Sequence, residues 1–410
     1  MQDEIANRPV EGLAAIYDRA VRLLVDLCDI SSPTGDSAGI RAVAERLAEE
    51  LIRRGFKAEV LEETGAGRAL QPILLARSGP AAQRHLLIAG HLDTVLPAET
   101  PRVDGDHLIA TGASDMKGGF AAFVGALDLL KLWQMEPPAD VLLVGVPDEE
   151  IGGPLTELAM QRWGQDARGL LVLEPGEQRG DGETVVGRRR GMFAWKLRID
   201  GQGAHSGMAY WQGRSALAAA ADWCLSAVKQ SQPGPGPTVN VGRLVAGDAT
   251  FVENLAEAHA WIGTSRQLNI VPNRAIAEGE ARFFSTIDAE RLLGELSSAA
   301  ARVSEMYGVT STFDAGKMTP PVDPQESGTA LIKRATQLAA GRGMRLVVDM
   351  ERGGISFPNW LPDPSRVPVL DGLGPAGAGM HARGEFVDLG SLRRRIVLLA
   401  DLLADLRVTA

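Results

Sequence analysis

Three short apolar runs constrain this chain most: Leu86-Leu87-Ile88-Ala89, Val141-Leu142-Leu143-Val144 and Leu170-Leu171-Val172-Leu173. Runs of this length with no polar residue at alternate positions read as strands buried on both faces, the pattern of a parallel sheet covered by helices. Helical stretches surround them. Tyr17, Val21, Leu24 and Cys28 fall on one helical face; Ile40, Val43, Leu47 and Leu51 fall on a second, ended by Gly55; Phe120, Val124, Leu127 and Leu130 fall on a third. Strands alternating with helices give an α/β layer architecture.

From about residue 190 the texture changes. Met192 to Ile199 alternate apolar with polar, as a half-exposed strand does, and the next helix is expected to turn Leu217, Ala220, Cys224 and Val228 inward. A Pro-Gly linker, Ser231 to Pro237, further strand-like segments and an amphipathic helix near 288–306 complete a smaller α+β unit. After Lys317 the first texture returns, with a helix near 326–340, a strand at Val367 to Leu370 and a last helix carrying Leu389, Leu392, Ile396, Leu399 and Leu403. The expected organisation is one α/β domain, residues 1–189 and 318–410, interrupted by an inserted α+β domain at 190–317.

Composition excludes several classes. With 45% hydrophobic residues in 410, the chain buries a sizeable core rather than staying disordered. A formal charge of -10 offers no positive field for a phosphate backbone, so nucleic acid is not an expected partner. The two cysteines, Cys28 and Cys224, form no CxxC pair, so any metal must be held by His, Asp and Glu. Residues 1–8 lack a basic start followed by an apolar stretch, and no segment approaches the roughly 18 apolar residues that span a bilayer. A cytoplasmic protein with no membrane partner is expected.

Each apolar run ends in chemistry: Gly90-His91-Leu92-Asp93, Asp148-Glu149-Glu150 and Glu174-Pro175. In an open parallel sheet ligands gather beyond the carboxyl ends of the strands, so these groups should converge. Gly112-Ala113-Ser114-Asp115-Met116-Lys117-Gly118-Gly119 adds a fourth acid at a loop-to-helix junction. Asp93, Asp115, Glu149, Glu150 and Glu174 cannot all ionise within a few ångströms of one another unless cations are present. Imidazole with carboxylates and no sulfur suits zinc, with manganese or cobalt as alternatives, and the donor set exceeds what one tetrahedral ion accepts.

In order and wording these motifs resemble the dinuclear zinc peptidase and deacylase family that includes glutamate carboxypeptidase, acetylornithine deacetylase, succinyl-diaminopimelate desuccinylase and the aminoacylases. The resemblance covers nearly the whole chain and is nearest to the glutamate carboxypeptidase branch, through His381-Ala382-Arg383-Gly384-Glu385 among others. It implies an α/β/α catalytic domain with an inserted lid that forms a homodimer. It implies two divalent ions on His91, Asp115 as bridge, Glu150, Glu174 and His381, a cis Asp115-Met116 bond, and Asp93 orienting His91. It makes Glu149 the general base of amide hydrolysis. In the lid, Ala204-His205-Ser206 matches the motif whose His stabilises the oxyanion across the dimer. Asn269 and Arg282 match residues that receive the substrate carboxylate, Glu280 lies two positions before Arg282 on the same strand face, and Gly354 lies in a pocket-lining stretch. The expected substrate is a small peptide or N-acyl amino acid bearing a carboxylate, with an N-acyl amino acid deacylase as the alternative activity. Gly354-Ile355-Ser356-Phe357 departs from the relatives' Gly-Gly-Thr-Asp, losing an acid and adding bulk.

Two other classes fit parts of the sequence. Gly372-Leu373-Gly374-Pro375-Ala376-Gly377 fits the Gly-x-Gly-x-x-Gly of dinucleotide-binding proteins, but Pro375, Gly377, Gly379 and Gly384 interrupt the stretch where a helix must follow. A non-catalytic binding protein on the same fold would be expected to lack Glu149 or a ligand. His85, His107 and His259 match no motif and are expected to be structural or surface residues.

Overall fold

The computed structural model describes residues 12–64, 70–80, 84–258 and 269–408; residues 1–11, His259 and the stretch around it lie outside them. By internal contacts the chain divides into two compact units. One comprises the chain up to Arg188 with Asp323–Arg352 and Ser356 onward; the other comprises Arg189–Val322 with Gly353–Ile355.

The first unit is built on a six-stranded sheet in the order Lys57–Glu63, Gln71–Arg77, Val141–Val146, His85–His91, Ala167–Val172, Val369–Leu370. The last four strands are mutually parallel, as the apolar runs imply. The sheet is nevertheless mixed. Lys57–Glu63 and Gln71–Arg77 form an antiparallel ribbon, and Gln71–Arg77 runs antiparallel to Val141–Val146. At the edge, burial in Lys57–Glu63 alternates between exposed and half-buried, which lets Glu59, Glu62 and Glu63 occupy a strand without desolvation. Leu86, Ile88, Leu143 and Leu171 pack into one large core with the helices Leu13–Asp29, Ser37–Ile52, Gly118–Leu132 and Leu389–Val408. Because strand side chains alternate, Leu87, Leu142 and Leu170 face the opposite side, and all three are fully buried there.

In helix Leu13–Asp29 the expected Leu24 and Cys28 are fully buried, Ile16, Ala20, Leu23 and Leu27 widen that face, and Tyr17 and Val21 pack half-buried at its edge. Helix Gly118–Leu132 is buried along nearly its whole surface, and its first turn touches the sheet. A Cβ on Gly119 would stand 2.1 Å from the Leu173 carbonyl oxygen, so only glycine lets this helix start so close to the strand ends.

The second unit is a four-stranded antiparallel sheet, Thr238–Gly247, Arg274–Phe283, Gly191–Asp200, Thr310–Ala315, with helices Ala216–Val228 and Thr286–Tyr307 packed against it. Phe193, Trp195, Leu197 and Ile199 point into its core, and Ala194, Lys196 and Arg198 point out. Helix Ala216–Val228 corrects the expected face. Ala220 is buried and Cys224 packs half-buried on the core as expected, but Leu217 and Val228 are exposed, and Ala216, Ala219, Trp223 and Ala227 complete the buried face. Trp223 decides the rotation: its ring meets Trp195 at 4.9 Å and Phe313 at 5.9 Å, and its indole N–H donates to the Leu296 carbonyl at 3.0 Å. The alanines beside it leave room for that ring. Among the described residues no helix is long and apolar enough to cross a membrane.

Candidate metal centre

Register explains why the acids converge. His91 closes its strand opposite Val146 of the parallel neighbour, and Ala89 pairs with Val172 on the other side. The next residues of the three chains, His91 to Asp93, Asp148 to Glu150, and Glu174, therefore leave the sheet at one edge. One ligand atom from each of His91, Asp115 and Glu150 lies within 4.8 Å of the others, and the same holds for His91, Glu149 and Glu174.

Asp115 divides the centre in two. Its Oδ1 lies 3.0 Å from His91 Nε2, which is 3.8 Å from Glu174 Oε1. Its Oδ2 lies 3.3 Å from His381 Nε2, which is 3.1 Å from Glu150 Oε2. One carboxylate thus faces two separate imidazole-carboxylate pairs, one through each oxygen. The Asp115-Met116 bond is cis, and the turn enters the helix Gly118–Leu132 directly.

His91 is aimed from behind. Its Nδ1 lies 2.9 Å from the Asp93 carbonyl oxygen, which can only accept, so Nδ1 carries a proton and Nε2 is the nitrogen that would bind a cation on giving up its own. The Asp93 carboxylate stands 3.5 Å from the same nitrogen and is itself held by the Thr34 hydroxyl at 2.7 Å. Thr34 has no periodic signal in the sequence; the turn Ser31-Ser32-Pro33-Thr34-Gly35 between two helices is the feature that could have pointed to it. Asp148, beside the Glu149-Glu150 pair, accepts from the Leu155 and Thr156 amides and the Thr156 hydroxyl, and so anchors this corner.

The electrostatics describe a cluster short of positive charge. Burial pushes Asp115 up, yet hydrogen bonds from His381 and His91 hold it well below the ordinary carboxylate range. Burial opposes protonation of His91, but hydrogen bonds with Asp115 and Asp93 carry it well above the ordinary imidazole value. His381 is raised to about 9, chiefly by its hydrogen bond with Asp115. Glu149 is raised to about 8 by burial, with Asp115 and Glu150 adding to the effect against His91. Burial likewise raises Glu150. Two like charges 4 Å apart repel by about 4 kcal/mol at an effective dielectric of 20, a large part of the roughly 5–15 kcal/mol that stabilises a whole domain. Protonation relieves that repulsion in the protein alone, and divalent cations relieve it without protonation. The donor set, imidazole nitrogen and carboxylate oxygen with no sulfur, fits such ions.

The expected substrate-side residues lie in the second unit. The His205 Nδ1 accepts from the Gly207 and Met208 amides at 3.1 and 3.2 Å, which leaves Nε2–H as an outward donor. Asn269 is next to it, its carbonyl receiving the Ser206 amide at 2.9 Å. Arg282 is held by Glu280 at 2.8 Å and donates through Nη1 to the Gly353 carbonyl at 2.8 Å, while Arg189 donates to the Gly354 carbonyl. His205 and Asn269 therefore form one group, and Arg282 and the Gly353–Ile355 stretch another. His85 is buried against the Trp163 carbonyl and His107 stacks on Phe386, as structural histidines do. A hollow of about 910 Å³ in the first unit is lined by the helices Leu13–Asp29, Ser37–Ile52 and Gly118–Leu132 and by none of the metal-centre residues. Its charges, Arg46, Arg53 and Arg54 with Glu50 and Asp128, are paired with one another.

Residues 87–405 match the sequence profile of the peptidase family M20/M25/M40. Carboxypeptidase G2 of a Pseudomonas species is 26% identical over 392 residues, 94% of this chain and 89% of that protein. Succinyl-diaminopimelate desuccinylase of Bordetella pertussis is 27% identical over 394 residues, 90% of this chain and 93% of that one. A crystal structure from Bacillus subtilis, described as a dinuclear metal binding peptidase from the M20 family, shares the fold with a TM-score of 0.68 at 17% identity, covering 97% of this chain and 100% of that one. The chain therefore belongs to the peptidase family M20/M25/M40, and its reaction is the metal-dependent hydrolysis of an amide bond.

Proposed function

We propose that this protein is a dinuclear zinc carboxypeptidase that cleaves an amide bond next to a carboxylate-bearing amino acid. The two-sided contact of Asp115 carries the dinuclear reading: Oδ1 toward His91 and Glu174, Oδ2 toward His381 and Glu150. Two divalent ions held there would polarise the scissile carbonyl and bring a water toward neutral pKa. Glu149 then takes the proton of the attacking water and delivers it to the leaving nitrogen. Its raised affinity for a proton suits both halves of that transfer, because a base must later serve as an acid near neutral pH. Glu149 is within the same reach of His91 as Glu174, so its assignment as base rather than ligand rests on the family motif.

His205, through its free Nε2–H, serves as the donor to the developing oxyanion in the site of a partner protomer. Arg282 receives the substrate carboxylate, for which a guanidinium fork is the matching group, with Asn269 and Gly354 lining the same substrate. The unit around Arg189–Val322 acts as lid and dimerisation element, and its edge strands Thr238–Gly247 and Thr310–Ala315 are available to pair with a second copy. With both cysteines free, the protein suits the cytoplasm.

A second reading, N-acyl amino acid deacylase, is favoured by the similarity to a desuccinylase over as much of the chain and by the Ile355-Ser356-Phe357 departure. Zinc-loaded enzyme assayed against dipeptides and N-acyl amino acids, with release of free amine as the readout, separates the two. Turnover confined to peptides ending in an acidic residue supports the carboxypeptidase. Turnover confined to N-acetyl or N-succinyl substrates supports the deacylase.

A further inference from the structure

The acid that follows His381 by four residues has no role in the reaction described above, yet its buried carboxylate accepts three backbone amides. Glu385 is 3% exposed. Its Oε1 accepts the Ser114 amide at 2.8 Å and the Asp115 amide at 2.9 Å, and its Oε2 accepts the Gly112 amide at 2.9 Å. The Glu385 carbonyl also receives the Ala110 amide at 2.9 Å. These donors belong to the turn that delivers Asp115, some 270 residues earlier in the chain.

Nothing in a fold requires a buried carboxylate there, because a buried charge is costly unless it is satisfied in full. What the arrangement does achieve is local. The segment Gly377–Asp388 carries His381, whose Nε2 stands 3.3 Å from Asp115 Oδ2 and 3.1 Å from Glu150 Oε2. The segment itself is tied down by pairing of Phe386–Asp388 with His107–Ile109. Glu385 therefore fixes the backbone of one ligand from the segment that bears another, and His381 shares its half of the centre with the Oδ2 of Asp115.

We propose that Glu385 is a positioning residue that sets Asp115 against His381, so that cation affinity in the His381 half depends on it. The proposal rests on the metal-binding reading above. Glutamine keeps the shape but turns an NH₂ group toward the Gly112 amide, donor against donor, so Glu385→Gln removes one of the three bonds without opening a cavity.

The test uses the full chain stripped of metal and titrated with cobalt, with each ion followed by visible absorption and chelator competition. Wild type should take two ions. Glu385→Gln should keep the first within about threefold and lose about 10- to 100-fold on the second, the usual cost of disturbing a residue behind a ligand. The absorption of the second ion should shift, and kcat should fall with KM little changed. Leu399→Ala, in the core of the last helix, is the control: it should lower the melting temperature and leave both cobalt affinities in place. Unchanged affinities and spectra in Glu385→Gln, or the same loss in Leu399→Ala, would overturn the proposal. Should Glu385→Gln fail to fold, hydrogen exchange on metal-free wild type decides. Protected amides at Gly112, Ser114 and Asp115 support the clamp, and freely exchanging ones refute it. A wild type that binds no cobalt refutes the metal reading instead, and the exchange measurement still judges the clamp.

Discussion

His91 ends a strand in the middle of a six-stranded sheet and is 1% exposed, whereas His381 sits on a glycine-flanked loop at φ 63° with 55% of its side chain in solvent. The first imidazole is oriented by its neighbours Asp93 and Thr34 and pressed among buried acids. The second is placed by contacts the loop makes elsewhere, above all those of Glu385. Strand register fixes one ligand before any cation arrives, and side chain-to-backbone bonds across the chain fix the other. The two halves of the centre should therefore respond differently to the same perturbation.

His91→Ala is the largest. Removing the cation that faces Asp115, Glu150 and Glu174 leaves buried acids uncompensated, which costs about 3–5 kcal/mol when a buried partner is lost. Denaturant melts of the metal-free variant should show that loss, and activity should vanish. Glu149→Gln comes next: both metals should remain by elemental analysis while turnover drops about 10²- to 10⁴-fold. Retained turnover would move the base elsewhere, with Asp93 the next candidate. His381→Ala should reduce bound metal to about one ion and destabilise the metal-free protein less than His91→Ala does, because water screens its half-exposed imidazole from the acids it faces. If His381→Ala destabilises the metal-free protein as much as His91→Ala, the contrast between the halves fails.

The smallest effect is one of pH. His381 is raised to about 9 by Asp115, and Glu149 to about 8 by burial, so the fold retains protons that the unfolded chain has already released. The histidine contribution is complete below its unfolded value and is lost as pH rises through about 9, and the Glu149 contribution is lost between its ordinary value and about 8. Asp115, lowered, acts in the opposite sense, but only at the acid end. The melting temperature of chelated protein should thus fall between about pH 7 and about pH 9.5, and added zinc should flatten the curve. Identical slopes with and without zinc would show that the cluster does not bind it.

How much of this was legible in the sequence follows the same division. The strand-end groups were readable because apolar runs fix a sheet and its parallel register fixes one edge, so His91, Glu150 and Glu174 needed no structure to be associated. The ribbon Lys57–Glu63 and Gln71–Arg77 was not, because Glu59, Glu62 and Glu63 on an edge strand look like a solvated loop. Hydrophobicity favours Leu217 over alanine on the inward face of Ala216–Val228, whereas the space there is set by the Trp223 ring. Thr34 and Glu385 act on groups far along the chain through bonds that leave no period, and so remained silent. Gly353–Ile355, three residues that group with Arg189–Val322 although the segments around them belong to the first unit, is equally invisible to texture.

The central claim is that Asp115 joins two unlike half-sites, and anomalous diffraction from crystals of the zinc-loaded protein tests it most directly. The account predicts two peaks about 3.5–4 Å apart, one within bonding distance of Asp115 Oδ1, His91 and Glu174, the other of Asp115 Oδ2, His381 and Glu150. A single peak at full zinc occupancy, or two peaks with Asp115 bound to neither or to only one, would contradict it.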